Sequence, residues 1–146
     1  MPTVYPIQWQ PPVITGVYRN LQRRDIETWE KWLAAHAAEW EAVAYDVAVG
    51  GIAPADPASP PAQLLGWKYT TALKIDVLLM LDGRVTVVEV KPAATVSAIG
   101  AAVAYPLVLA REEPALDIAG GGIICQHLPP DIRWVAEALE IRTWEV

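Results

Sequence analysis

The segment Leu81-Asp82-Gly83-Arg84 separates two apolar runs, KIDVLLML and VTVVEV. Asp-Gly between such runs favours a two-residue type I′ turn, because both central residues then sit at positive φ. That turn fixes an antiparallel register. Leu81 faces Arg84, Met80 faces Val85 and Leu78 faces Val87; continuing, Asp76 faces Glu89 and Lys74 faces Lys91. The middle of the chain is thereby committed to a hairpin, with one strand over about 70–81 and the next over about 84–91.

The second strand ends in VTVVEVKP, a run apolar enough to be buried on both faces. Charge placed there is costly. In the hairpin register Asp76 and Glu89 are direct cross-strand neighbours, with Cβ atoms roughly 4.5–5.5 Å apart, and like charges so placed destabilise a sheet. The side-chain period of two puts Lys91 on the same face. A divalent cation between the carboxylates would relieve the conflict, and an all-oxygen donor set suits Mg²⁺ or Mn²⁺. The corresponding chemistry is phosphodiester hydrolysis, with Lys91 orienting the attacking water or stabilising developing phosphorane charge. The plainer reading is a lysine snorkelling at a strand end beside a carboxylate.

Around the hairpin, residues 24–41 read as a helix with Asp25 as N-cap and an apolar stripe of Ile26, Trp29, Leu33, Ala37 and Trp40. AVAYDVAVG alternates as a strand, and the prolines between Ala53 and Ala62 predict a loop. Residues 95–111 predict a helix capped by Thr95 or Ser97, in which Pro106 costs a hydrogen bond or a kink. AGGG reads as a turn, IICQH as a short buried strand, PPDIRWVAEAL as a helix and IRTWEV as a last strand. The order predicts one mixed α/β domain over 21–146 around a single sheet. Residues 1–20 form an extended proline-rich arm whose Tyr5, Ile7 and Trp9 bury against the domain itself or a neighbouring subunit.

Composition narrows the class. With 53% hydrophobic residues in 146, the chain can build one core. The single Cys125 excludes an internal disulfide and any multi-cysteine zinc site. Apolar runs stop short of a membrane span, the N-terminus lacks signal-peptide features, and a cytoplasmic setting is expected. The net charge of −6 argues against strong DNA affinity of the chain alone; its one basic cluster is Arg19, Arg23 and Arg24. Gly120-Gly121-Gly122 lacks the Lys-Ser or Lys-Thr of a phosphate loop. His36, His127 and Cys125 read as structural, and the seven tryptophans as core before base-stacking platforms.

In Ile75-Asp76, then Glu89-Val90-Lys91 after twelve residues, the chain resembles the PD-(D/E)XK nuclease superfamily. The element order over about 24–127 is similar to that family's αβββαβ, restriction-endonuclease-like core. The resemblance implies that Asp76 and Glu89 bind Mg²⁺ or Mn²⁺, that Lys91 serves the attacking water, and that a first-helix glutamate, Glu30 or Glu41, completes the metal site. The substrate implied is DNA; the net charge of −6 adds the expectation that a partner protein delivers it. The chain departs from the family in Ile75, where proline is common, and in Ala101, four residues before Tyr105, where many relatives carry glutamine. An alternative expectation is a phage virion protein of the same fold, a head–tail connector, neck or head-completion subunit with little or no catalysis. Its arm would dock protein partners or build a homo-oligomer.

Overall fold

The computed structural model describes residues 3–52 and 58–146. A five-stranded mixed sheet runs in spatial order β1-β2-β3-β4-β5: Ala42–Val49, Leu73–Leu81, Arg84–Ala93, Asp117–His127 and Arg142–Glu145. The first two pairings are antiparallel and the last two parallel. Helices α1 (Arg23–His36), α2 (Pro61–Thr71), α3 (Val96–Glu112) and α4 (Pro130–Ala138) complete the α/β architecture.

One sheet face packs under α1. Trp29, Trp32 and Leu33 meet Val43, Val77, Leu79, Val88, Val90, Ile124 and Trp144 there. Trp29 and Trp32 stack at 5.0 Å, and Trp32 meets Trp144 edge-on at 5.8 Å. The stripe expected on this helix omitted Trp32, which is fully buried. The α-helix also ends at His36, followed by a 3-10 turn, so Trp40 reaches the core from extended backbone. The other face takes α3 and α4, with Leu109 against Leu78, Val85 and Val87, and with Ala98, Ala102 and Ala136 around Ile123 and Cys125. Thr95 caps α3 by accepting the Ala98 N–H.

Two expectations need correction. The sequence does not predict helix α2: of the expected loop, residues 53–57 lie outside the described ones, 58–60 are irregular, and Pro61 takes the first helical position, where its missing N–H is harmless. The glycine run is not a turn but the middle of β4. A Cβ on Gly121 would stand 1.9 Å from the Ala102 carbonyl oxygen, so glycine lets the α3 backbone lie directly on the strand.

The described part of the arm lies along its own β1. Val4 N–H donates to the Ala48 carbonyl, and Gln10 exchanges backbone bonds with Val43. Sheet-edge groups of β1 are thus covered by the chain itself. Met1 and Pro2 fall outside the described residues.

Candidate active site

The β2–β3 ladder has the register that the Asp-Gly turn dictates, from Leu81↔Arg84 to Val77↔Val88. One step on, where Asp76 comes opposite Glu89, side chains take over from the ladder. Asp76 Oδ2 accepts the Val90 N–H at 3.0 Å. Val88 and Val90 belong to the α1-side core, while Val85 and Val87 belong to the α3 side. By alternation Glu89 falls on the α3 side, buried at 7% exposure. Lys91 Nζ lies 4.0 Å from Asp76 Oδ2 and 3.9 Å from Glu89 Oε2. The structure therefore brings Asp76, Glu89 and Lys91 together, two carboxylates sharing one ammonium.

Their electrostatics follow from burial. Glu89 is pushed up to about 8, first by desolvation, then by the charge of Asp76 and, less, of Asp25; Lys91 opposes the shift. Asp76 is also raised, again first by burial. The Val90 N–H and Lys91 hold it down, and Asp25 and Asp46 push it further up. Tyr105, on α3, is raised by burial and then by Glu89 and Asp76, which locates its hydroxyl within their field.

The first-helix glutamates are elsewhere. Glu30 lines an open groove with Arg23, Ile26, Glu27, Lys31 and Ala34. Glu41 lies beyond α1 and accepts the Asp82 N–H at the hairpin turn, the far end of β2. The acid that α1 turns toward the pair is Asp25, buried at 3% exposure with Oδ1 lacking a hydrogen-bond partner. It sits inside the first turn, with Gln22 at the N-cap position, and so is not the cap expected of it.

A fourth carboxylate, Asp46, was missed by sequence reading. The β1–β2 register sets it opposite Asp76, between Tyr45↔Val77 and Val47↔Ile75. Its φ of 51° is left-handed inside a strand, a conformation L-residues visit at a cost. Both strands switch faces there: Tyr45 and Val77 pack toward α1, whereas Val47 and Ile75 join the α3-side core. Its one sequence signal is that it is the lone charge of an alternating strand; the left-handed backbone that aims it leaves none.

Of the remaining candidates, Cys125 is buried and its thiol is pushed up to about 11 by desolvation, so it is a poor nucleophile. His127 is exposed and His36 pairs with Glu39. Among the described residues no three His, Cys, Asp or Glu side chains form a ready-made metal cage. No helix among them is long and apolar enough to cross a membrane.

Comparison with known proteins gives no matching family model, curated protein or solved structure.

Proposed function

We propose that the chain is a metal-dependent phosphodiester hydrolase acting on DNA, with Asp76 and Glu89 as ligands of Mg²⁺ or Mn²⁺ and Lys91 beside the attacking water. The observation that carries this reading is the shared ammonium: two buried carboxylates on adjacent hairpin strands, each within 4.0 Å of Lys91 Nζ. The resemblance of Ile75-Asp76 and Glu89-Val90-Lys91 to the PD-(D/E)XK motif supports it. The donor set fits. Mg²⁺ is commonly held by one or two carboxylates plus waters and substrate phosphate, so a complete protein cage is not required. Asp25 Oδ1, buried without a hydrogen-bond partner, is available as a further oxygen in the same field.

A bound divalent ion would polarise the phosphate and lower the pKa of a coordinated water. The chain's own residues do the rest. Asp76, fixed by the Val90 N–H, presents an oriented oxygen. Lys91, one-third exposed, reaches from the carboxylates to solvent, where it can orient water and oppose developing negative charge. Glu89 holds a proton up to about pH 8 and must release it to ligate. Metal uptake at pH 7 is therefore expected to release protons, read as a buffer-dependent enthalpy in titration calorimetry. A heat independent of the buffer's ionisation enthalpy would contradict the protonated Glu89.

The test of function is cleavage of single-stranded, supercoiled and branched DNA with Mg²⁺ or Mn²⁺. Asp76→Asn and Lys91→Ala are expected to lose at least about a hundredfold in rate, the usual scale for a removed electrostatic or proton-transfer group. Cleavage that survives both substitutions would sink the assignment.

A further inference from the structure

The basic cluster before α1 gains a role once its partners are seen. Arg19 Nε lies 3.2 Å from Asp46 Oδ2, in a pair whose carboxylate is 2% exposed and whose guanidinium is 59% exposed. The same oxygen accepts the Tyr69 hydroxyl at 2.8 Å. Asp46 thus ties both the arm and α2 to the β2 position that carries Asp76, and its left-handed backbone is what re-aims the carboxylate to do so. Arg24 repeats the pattern more loosely, with Nε 3.9 Å from Asp25 Oδ1 and a side chain 67% exposed. In both cases the inner Nε is directed at a buried carboxylate of the site. Both side chains stay more than half exposed, and a guanidinium carries five donors, so each has capacity left for a phosphate.

We propose that Arg19 and Arg24 grip the phosphates flanking the scissile bond of a single nucleic-acid strand. This rests on the hydrolase reading and names its substrate class. The protein carries −6 overall, and these guanidiniums pair with Asp46 and Asp25, whose charges act on the same Asp76 that Lys91 pairs with. So few cations on an acidic body can follow one backbone; a duplex would need the broad basic face that the composition lacks. Asp46 acts here as a positioning residue, fixing the Arg19 guanidinium, while Asp76 and Glu89 face the reacting phosphate.

The experiment measures binding of a fluorescent single-stranded oligonucleotide against salt, without metal and in the Asp76→Asn background, so that cleavage is not required. Each phosphate contact contributes about 0.7 to the slope of log affinity against log salt for a single strand. Arg19→Gln with Arg24→Gln is expected to reduce that slope by about 1.4, with lysine at both positions retaining most of it. If Arg19→Gln alone unfolds the chain by stranding Asp46, Arg19→Gln with Asp46→Asn keeps a neutral pair and serves instead. An unchanged slope, tighter binding of the matched duplex, or equal competition by poly-glutamate would overturn the proposal. Wild-type cleavage with an unchanged slope would overturn this inference and leave the hydrolase standing. Wild-type chain that cleaves no DNA overturns the hydrolase reading itself.

Discussion

Glu89→Gln is expected to make the protein more stable than the parent chain above pH 8, by several kcal/mol, while leaving the two close together near pH 4.5. Burial and the neighbouring Asp76 raise Glu89 from its ordinary 4.5 to about 8, against the pull of Lys91. The folded state therefore keeps a proton that the unfolded state gives up. A group with a raised folded pKa contributes stability that is fully present below the unfolded value and is lost as pH climbs to the folded value. Across that window, from 4.5 to about 8, the loss per pH unit is at most about 1.4 kcal/mol. Glutamine keeps the shape and removes the ionisation. Urea denaturation at pH 5, 7 and 9 measures the gap. Parallel stability curves for the two chains would show that Glu89 is not held protonated. On the hydrolase reading, Mg²⁺ should reverse the loss in the parent chain at pH 8 and do nothing for the glutamine variant, a gain of about 2.7 kcal/mol at a hundredfold excess over Kd.

This effect was legible in part from the sequence. The Asp-Gly turn specified the register, and the register placed Asp76 against Glu89 with Lys91 on the same side. Turn chemistry is local, and two-residue hairpins leave one way to pair their strands. The third acid was not legible. The resemblance implies a glutamate on the first helix, Glu30 or Glu41. Which helix face meets the hairpin's charged end depends on how α1 crosses the sheet, and its tryptophans set that crossing. Trp32, omitted from the expected stripe, is part of what turns Asp25 inward and Glu30 out. Asp46 was hidden for a different reason. Its role follows from a left-handed residue in mid-strand, and strand alternation reads through such a defect without registering it. Helix α2 escaped because none of its described residues is buried, so it leaves no apolar periodicity.

Gly121→Ala is expected to destabilise the protein by about 3 kcal/mol, the upper end of the range for an overpacked interior. Two sequence features that looked unrelated meet at this point. Pro106 lies inside α3 and has no N–H for the carbonyl four residues earlier, that of Ala102. That carbonyl instead points at β4, where a Cβ on Gly121 would come within 1.9 Å of its oxygen and 2.8 Å of its carbon. The glycine Cα–H is thus the neighbour of the oxygen that proline leaves without its helical partner, a weak hydrogen bond of the kind that recurs where backbones approach closely. Backbone cannot yield as a side-chain tip can. A methyl group must lift α3 off the sheet and open the cluster of Ala98, Ala102, Ile123 and Cys125. The control is Gly100→Ala on the same helix, where nothing lies within 4 Å of the new methyl. That change is expected to stabilise by about 0.5–1 kcal/mol, through backbone entropy and helix propensity. Urea midpoints for the two variants should therefore move in opposite directions. Equal and small shifts would mean that α3 does not rest on β4 through Gly121, and that the glycine run is only a permissive stretch of strand.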